Sequence, residues 1–400
     1  MLEELFEAHL ETIRAVNTGF KRYLYAQIDF NTRLMGIIGA RGVGKTTLLL
    51  QYYKENFNSP EQCLYISADH ITVAAIGLYE IAREFFKSGG RTLLVDEIHK
   101  YKNWSQELKN IYDTYPNGQV FISGSSTLDI LKGKGDLSRR IVLQTLKGLS
   151  FREYLILQTG HQWELYPLRE LLQKHVQIAQ KISSGMPVIK HFRDYLKHGY
   201  YPFYLEGLVP YSGKLENIIE KIIYEDIPAV FDVKPSSLHL LKKIIYLVAT
   251  SQPFAPNIEK ISSQLSVSKE YVYHYLECLE RARLFSFLRP FARGLKLMRK
   301  PEKIYLDNSN LIHAIVGKHG FRSETGAVRE TFFLNQVSAR HPVFWTTPGD
   351  FLADSCTFEI GGKAKTGKQI QAAKNAWVVA DDIEIGAKNK IPLWLFGFLY

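Results

Sequence analysis

The first 150 residues of the chain alternate between short apolar runs and amphipathic segments. Apolar runs occupy residues 34–38, 93–95 and 120–122, and each is followed by glycine, acidic or small polar residues. Short continuous apolar runs are typical of strands that are buried on both faces of a parallel sheet. Residues 47–53, which come after the first run along the chain, are predicted to form a helix. The pattern therefore indicates an α/β domain with a parallel sheet.

The pattern changes to helical periodicity after about residue 155. Apolar residues recur at helical spacing over residues 168–182 and 215–224, and segments that contain glycine and proline separate these helices. Residues 155–245 are therefore predicted to form a helical lid or connector.

A short helix, a tight turn and a longer helix are predicted over residues 258–281. Residues 258–265 are amphipathic, and Ser268 is a candidate N-cap for the second helix. The second helix carries apolar residues at i, i+4 and i+7, namely Val272, Leu276 and Leu279. Two β-rich stretches follow, at residues 284–288 and 303–306. This order predicts a winged helix-turn-helix over residues 246–310, and the remaining residues 311–400 are predicted to form a small α/β domain.

The composition excludes several other architectures. Of the 400 residues, 46% are hydrophobic and 22% charged, so the chain can bury cores and is not disordered as a whole. Cys63, Cys278 and Cys356 lack paired spacing, which excludes a disulfide scaffold and the usual zinc patterns. The N-terminus lacks a signal-peptide pattern, and the apolar residues 391–400 are far short of the roughly 20 that span a bilayer. We therefore expect a cytoplasmic protein without a membrane partner.

Residues 39–46 read G-A-R-G-V-G-K-T, a full match to the phosphate-binding P-loop pattern. The glycines allow backbone N–H groups to point at phosphate oxygens. Lys45 brings a positive charge to the β- and γ-phosphates, and the Thr46 hydroxyl is a candidate Mg²⁺ ligand. ATP and Mg²⁺ are therefore the predicted ligands of residues 1–154. The predicted nucleotide-binding residues are Gly39, Ala40, Arg41, Gly42, Val43, Gly44, Lys45, Thr46 and Thr47.

An acidic pair follows the second apolar run. Asp96 is predicted to hold Mg²⁺ directly or through water, and Glu97 to act as general base on the attacking water. Lys45 is also a predicted catalytic residue, through its charge on the phosphates. The third run is followed by Ser125 and Ser126, either of which is a candidate to sense the γ-phosphate. The alternative for these serines is to cap the next helix.

Two adjacent arginines, Arg139 and Arg140, precede another apolar run. Either one is a candidate arginine finger onto a phosphate, in the same chain or from a neighbouring subunit. The alternatives are a surface ion pair or a DNA contact.

Several segments occur together with the P-loop in one order along the chain. They are residues 39–47 (GARGVGKTT), 93–99 (LLVDEIH), 103–104 (NW), 123–126 (SGSS), 139–140 (RR) and 149–154 (LSFREY). With them, the span from about residue 22 to 154 resembles the AAA-type P-loop ATPases of bacteria and archaea that carry an uncharacterised C-terminal domain. The resemblance implies a core ATPase, a helical region, a winged helix and a small α/β tail with a restriction-endonuclease-like fold.

Positive charge is concentrated around the predicted wing. The chain carries a net charge of +10, and eight basic residues face one acid, Glu302, over residues 281–303. Such a concentration favours binding to a phosphate backbone, as in DNA. Winged helices also contact proteins, so a protein partner or a homo-oligomer is the alternative. The candidate DNA-binding residues are Lys269, Tyr273, His274, Arg293, Lys296, Arg299 and Lys300.

The tail has the outline of a metal-dependent nuclease site. Glu330, Asp350, Glu359 and Lys363 follow the order in which carboxylates hold a divalent metal and a lysine steadies hydroxide. Glu359 and Lys363 are four positions apart instead of two, so strand alternation separates them unless Gly361-Gly362 forms a bulge. We therefore predict a degenerate domain of this type.

These features together predict a Mg²⁺-dependent AAA-type ATPase that couples ATP hydrolysis to conformational change and DNA binding. Two alternatives stay open. One is a slow nucleotide-gated switch that binds a protein partner, and the other is an ATP-gated, metal-dependent nuclease.

Overall fold

The apolar runs near the start of the chain form the strands of a parallel sheet. The computed structural model describes residues 2–124, 137, 139–251, 255–291, 301–318, 320 and 323–400. In the first unit, Met1–Gly148, the strands are β1 Leu34–Ile38, β2 Cys63–Ser67, β3 Thr92–Asp96, β4 Gln119–Gly124 and β5 Val142–Thr145. They pair in the order β2-β3-β4-β1-β5, and every pairing is parallel. The P-loop type of α/β fold predicted from the sequence is therefore confirmed.

Helices cover both faces of this sheet, which explains why its strands are apolar throughout. The helices are α1 Leu2–Ala15, α2 Lys45–Asn56, α3 Ile71–Ile76, α4 Leu78–Lys87 and α5 Trp104–Thr114, with 3₁₀ turns at Tyr25–Gln27 and Ile98–Lys100. On one face, Tyr52 of α2 packs on Phe121 with ring centroids 5.2 Å apart. On the other face, Phe85 of α4 and Leu108 of α5 pack in one core with Leu64. Helix α1 packs against β2, α2 and α4.

The parallel sheet brings the ends of several strands to one edge. The loop after β1, Asp96 at the end of β3 and Ser123 near the end of β4 all lie at this edge. Gly39 opens the loop where a Cβ atom would lie 2.3 Å from the carbonyl oxygen of Leu146, so a side chain has no room there. This edge is the carboxyl edge, where open α/β sheets bind their ligands.

The second unit, Leu149–Tyr400, begins with a helical region. Its helices are α6 Phe151–Thr159, α7 Leu168–Ser183, α8 Val188–Asp194, α9 Tyr211–Lys221, α10 Ile227–Val230 and α11 Leu238–Thr250. Short 3₁₀ helices lie at Pro202–Glu206 and Pro235–Ser237, and π-helical turns at Tyr195–Gly199 and Ile222–Asp226. The helix predicted over residues 168–182 is confirmed. The helix predicted over residues 215–224 begins earlier, at Tyr211, and ends in a π-helical turn.

Two helices and a hairpin follow. They are α12 Ile258–Leu265, α13 Lys269–Arg281, β6 Phe285–Leu288 and β7 Lys303–Leu306, and the two strands pair antiparallel. Ser268 is the N-cap residue of α13. Val272, Leu276 and Leu279 are all buried, which confirms the apolar face predicted for this helix.

The last part of the second unit is a mixed sheet with a helix packed on it. The elements are α14 Ser309–Lys318, α15 Thr325–Val337, β8 Phe344–Trp345, β9 Phe351–Ala353, β10 Cys356–Gly361, β11 Ala376–Ala380 and β12 Lys390–Pro392, with 3₁₀ helices at Lys368–Ile370 and Leu393–Phe398. The strand order is β12-β11-β10-β9-β8, parallel from β10 to β12 and antiparallel from β8 to β10. Phe333 of α15 packs on Phe358 of β10 at 5.1 Å and on Phe396 at 4.8 Å between ring centroids.

The limits of the helices differ from the predicted domain limits. The predicted boundary after residue 154 lies inside α6, the one after residue 245 inside α11 and the one after residue 310 inside α14. Residues 149–400 form one compact unit. In the part of the chain that the structure describes, no helix is both long and apolar enough to cross a membrane.

Candidate functional site

The P-loop encloses the Lys45 side chain. Helix α2 begins at Lys45, directly after Gly44, whose φ of 98° is in the region that favours glycine. Lys45 is only 5% exposed, and its Nζ donates to the carbonyl oxygens of Gly39 at 3.1 Å and Ala40 at 2.9 Å. The ammonium group thus lies within the loop whose backbone N–H groups are predicted to surround phosphate.

Asp96 accepts hydrogen bonds from three hydroxyl groups. Thr46 Oγ1 donates to Asp96 Oδ2 at 2.6 Å, and Tyr65 donates to the same oxygen at 3.0 Å. Ser123 donates to the other oxygen, Oδ1. Burial, with the charge of Asp96 nearby, raises the pKa of Tyr65 above its usual value, so the phenol stays protonated as a donor. The hydrogen bond from Thr46 joins the P-loop to the end of β3.

Glu97 is partly buried beside basic side chains. Its φ of 51° is unusual for a residue other than glycine, and such backbone is most frequent at functional sites. Glu97 Oε2 lies 3.9 Å from Arg41 Nη2 and 3.6 Å from His99 Nε2. Burial raises the pKa of Glu97, an effect that the charge of Lys45 opposes. Burial lowers the pKa of His99 to about 4, and Arg41 and Lys45 act in the same direction, so this ring is neutral near neutral pH.

Three polar residues of the site were missed by sequence reasoning. Ser123 and Tyr65 hold Asp96, and the buried Arg22 donates to the carbonyl oxygen of Val43 in the loop. Arg22 also donates to the carbonyl oxygens of Lys147 and Gly148, each at 2.7 Å. Ser123 had a visible signal, because it follows an apolar run as Asp96 does. Tyr65 and Arg22 had none, because their partners are distant in sequence.

Arg139 and Arg140 lie at the opposite edge of the sheet from the P-loop. They precede β5, whose Val142 pairs with Met35 near the start of β1, whereas the loop follows the end of β1. Arg140 Nε and Nη2 donate to the two carboxylate oxygens of Asp113 at 2.9 and 3.0 Å. The structure thus places neither arginine at the P-loop, and Arg140 forms the ion pair offered as the alternative. A finger onto a neighbouring subunit stays a prediction.

The remaining polar candidate of the first unit, Ser125, and its neighbour Ser126 lie outside the described residues. The same holds for Arg293, Lys296, Arg299 and Lys300 of the predicted basic wing.

Several of the described basic residues around the predicted winged helix pair with carboxylates. Lys269 Nζ lies 2.5 Å from Glu259 Oε1, and Arg289 donates to both carboxylate oxygens of Glu280 at 2.7 and 2.8 Å. Tyr273 is 46% exposed on α13. His274 packs against Phe231, with ring centroids 5.9 Å apart.

The carboxylates of the tail divide into two groups. Lys303 Nζ lies 3.0 Å from Glu330 Oε2 and 3.4 Å from Asp350 Oδ1, and Tyr305 donates to Glu330 at 2.6 Å. Burial, reinforced by Asp350, raises the pKa of Glu330.

Glu359 lies on the face of β10 opposite to Phe358, which packs on α15. Lys365, and not the predicted Lys363, pairs with Glu359 Oε1 at 2.9 Å, while the carbonyl oxygen of Lys363 accepts from Lys390. Among the described residues, no three His, Cys, Asp or Glu side chains are grouped to hold a metal ion. In this structure ammonium groups pair with the carboxylates of Glu330, Asp350 and Glu359.

Comparison with known families agrees with the geometry of the first unit. Residues 31–155 match a family model described as an AAA domain. The match includes the loop around Lys45 and the acidic end of β3. Residues 31–155 therefore form a domain of the AAA type with a P-loop. Residues 189–322, beyond this AAA domain, match a domain of unknown function (DUF8612).

Similarity to other proteins extends beyond the AAA domain. The uncharacterized protein MJ1637 of Methanocaldococcus jannaschii is 30% identical over 286 residues, which are 68% of this chain and 60% of the relative. The chain thus spans less than two thirds of that relative's length. Among solved structures, the Walker-type ATPase PABY2304 of Pyrococcus abyssi has a TM-score of 0.41 at 11% identity, over 74% of this chain and 95% of that chain. AMPPCP-bound DnaA from Aquifex aeolicus has a TM-score of 0.29 at 16% identity, over 70% of this chain and 90% of that chain.

Proposed function

We propose that the protein hydrolyses ATP with Mg²⁺ at the carboxyl edge of the first sheet. The observation that carries this proposal is the 2.6 Å hydrogen bond between Thr46 and Asp96, which brings the phosphate loop and the acidic strand end together. Hydroxyl and carboxylate oxygens are the hard ligands that Mg²⁺ prefers, so these residues fit the metal. When bound, Mg²⁺ would neutralise charge on the β- and γ-phosphates.

The other residues of the site would bind phosphate and activate water. Lys45 would interact with the β- and γ-phosphates from within the loop. Glu97 would accept a proton from the attacking water, since it adjoins Asp96 and its raised pKa makes it a better base than an exposed glutamate. Ser123, which donates to Asp96 and accepts from the N–H of Glu97 at 3.4 Å, would hold the two acids in relation to each other.

Two substitutions test this proposal. Lys45→Ala should abolish nucleotide binding measured by calorimetry, because the loop loses its charge for phosphate. Glu97→Gln should keep binding and lower turnover at least about 100-fold, the lower end of what a positioned general base contributes. Lys87→Ala and Glu84→Gln, both exposed on α4, are the matched controls and should behave as wild type. If the single variants Lys45→Ala and Glu97→Gln both hydrolyse ATP at the wild-type rate, the proposal is refuted.

We further propose that the second unit binds DNA and that ATP hydrolysis changes its affinity for DNA. Support comes from the helix pair α12 and α13 followed by the antiparallel strands β6 and β7, in the order of a winged helix. The segment between the two strands carries Arg293, Lys296, Arg299 and Lys300 in the sequence. These side chains are the proposed phosphate contacts, because Lys269 and Arg289 already pair with carboxylates.

The alternatives make different predictions in one assay. ATP turnover that rises on addition of duplex DNA supports the coupled ATPase, whereas turnover indifferent to DNA supports a switch with a protein partner. The nuclease alternative has no support from the described residues, since Lys303 and Lys365 pair with the carboxylates that would hold metal.

A further inference from the structure

One of the three hydroxyls on Asp96 comes from a strand at the edge of the sheet, which carries none of the predicted nucleotide-binding or metal-binding residues. Thr46 belongs to the P-loop, and Ser123 lies in β4 beside β3. The third donor, Tyr65, lies in β2, one of the two edge strands of the sheet. Its hydroxyl is 3.0 Å from Asp96 Oδ2, and the residue is 5% exposed.

The register of the two strands explains how Tyr65 reaches Asp96. In the parallel pair of β2 and β3, Ser67 lies opposite Asp96, and Tyr65 lies opposite Leu94. Side chains two positions apart point to the same face of a strand. Tyr65 therefore extends along the same face as Asp96, and its phenol is long enough to reach the carboxylate of a residue two positions further on.

Helix α1 holds the Tyr65 ring in place. His9 of α1 meets Tyr65 edge to face, with ring centroids 4.9 Å apart and an interplanar angle of 87°. The ring of His70 also lies near His9, with ring centroids 6.0 Å apart. A ring that packs against another aromatic edge loses little freedom on binding of a ligand, so its hydroxyl is positioned in advance.

The three donors constrain the orientation of the carboxylate. A carboxylate has about four lone-pair sites. Thr46 and Tyr65 share one oxygen and Ser123 takes the other, so the plane of the carboxylate is determined from both ends. The remaining lone pair of the Asp96 carboxylate then points in one fixed direction, in which it can accept a metal ion or a metal-bound water.

We propose that Tyr65 is a positioning residue for the metal-holding carboxylate Asp96, and that helix α1 sets the position of Tyr65 through His9. This inference rests on the proposed function of the site. Tyr65 contacts neither the phosphates nor the attacking water in this proposal, and it acts only through Asp96. The comparable effect in metalloproteins is a 10- to 100-fold loss of metal affinity or activity when an outer hydrogen-bond partner is removed.

The test is Tyr65→Phe, which keeps the ring against His9 and removes only the hydroxyl. Turnover and calorimetric ATP binding are measured as the Mg²⁺ concentration is raised, and ATP binding is also measured in EDTA. We expect the Mg²⁺ concentration at half-maximal turnover to rise about 10-fold, with ATP binding in EDTA unchanged. Tyr25→Phe is the matched control, since it removes a phenol–carboxylate hydrogen bond of 2.7 Å to Glu55 in the same unit.

The outcomes separate this inference from the proposed function. If wild-type protein shows no Mg²⁺-dependent turnover or binding, both the proposed function and the inference are refuted. If wild type shows it and Tyr65→Phe has the same Mg²⁺ requirement as Tyr25→Phe, only the inference is refuted. Loss of ATP binding in EDTA by Tyr65→Phe would also count against it, because a general structural defect would then explain the change.

A second pair of variants tests the role of helix α1. His9→Phe keeps an aromatic edge against Tyr65, whereas His9→Ala removes it. We expect His9→Ala to raise the Mg²⁺ requirement by a smaller factor than Tyr65→Phe, and His9→Phe to stay within about twofold of wild type. The double variant that combines His9→Ala with Tyr65→Phe should require no more Mg²⁺ than Tyr65→Phe alone, since both changes act on the hydrogen bond between Tyr65 and Asp96. An unchanged His9→Ala would refute the part of the inference that concerns α1.

Discussion

Burial sets the protonation behaviour of the residues around the P-loop. Glu97 lies beside Asp96 and is largely removed from water, which favours its neutral form, while Lys45 and Arg41 favour the charged form. Burial is the stronger effect, so the pKa of Glu97 is raised. His99 loses its proton more readily for the same reason, and it faces Glu97 as a neutral ring.

The raised pKa of Glu97 predicts the pH dependence of turnover. A general base must be a carboxylate, so kcat should fall as the pH is lowered through the pKa of Glu97. Because that pKa is raised, the fall should begin at a higher pH than for an ordinary glutamate. Rates of ATP hydrolysis measured at saturating MgATP, from pH 5 to 8, check this prediction.

The control for this prediction is Glu97→Gln, whose residual turnover should lack the acidic limb. An acidic limb of the same midpoint in Glu97→Gln would assign the titration to another group.

The chemical roles of the loop residues could be predicted from the sequence. The side chains that hold them in position could not. Thr46 hydrogen-bonds to Asp96, and Arg41 lies 3.9 Å from Glu97. These residues could be singled out because a loop pattern and an acidic strand end each have a characteristic local sequence. Tyr65 hydrogen-bonds to a residue 31 positions away. Such a contact depends on which strands are neighbours, and the order β2-β3-β4-β1-β5 is not written in local patterns.

At the level of elements, helix α13 shows how an apolar spacing becomes a packed face. Val272, Leu276 and Leu279 are spaced on one side of the helix and are all buried, with exposures of at most 1%. Tyr271 and Tyr273 on the same helix stay about half exposed. The predicted amphipathic pattern is thus sufficient to orient this helix.

Truncation of this face should destabilise the second unit. Leu279→Ala removes a fully buried side chain and should lower the free energy of unfolding by about 2–5 kcal/mol. Glu277→Ala, on the exposed side of α13, removes only the ion pair with Arg281 and should stay within about 0.5 kcal/mol. Urea denaturation followed by fluorescence measures both, and equal midpoints for the two variants would contradict the predicted packing of Leu279.

Other elements show where local patterns fail. The apolar residues 392–400 favour a strand or an interface in the sequence, but Leu393–Phe398 is a 3₁₀ helix with all its side chains buried. A short apolar run has no periodicity that separates a strand from a tight helix. The neighbours decide, and here Phe396 packs on Phe333 and Phe358 in the core of the second unit.

At the level of the whole molecule, the net charge of +10 is unevenly distributed along the chain. The excess over residues 281–303 is +7, from eight basic residues and one acid. Arg281, Arg289 and Lys303 of this stretch pair with carboxylates, so part of that excess is compensated locally. The charge proposed to contact DNA is therefore that of the segment between β6 and β7.

This distribution predicts a site-specific effect of charge reversal on DNA binding. Affinity for duplex DNA should fall steeply between about 50 and 200 mM salt. Arg299→Glu with Lys300→Glu should weaken binding and reduce the slope of log affinity against log salt by about one for each lost phosphate contact. Fluorescence anisotropy with labelled duplex measures both quantities.

The matched control is Lys242→Glu with Lys243→Glu on α11, which changes the net charge by the same amount in the same unit. Wild-type affinity in this control supports a local contact. Equal weakening in both double variants would show that only the total charge matters, and it would contradict binding through this segment.

The sequence by itself determined the chemistry of the phosphate loop, the strands that flank it and the helices with a clear apolar face, since each depends on neighbours within a few residues. Only the tertiary structure decided which hydroxyls hold Asp96, that Arg140 lies on Asp113 away from the loop, and that lysines pair with the acids of the tail. Those contacts join residues from different strands and helices, so they depend on sheet order and register. A sequence specifies both of these through the packing of the whole unit rather than through any local pattern.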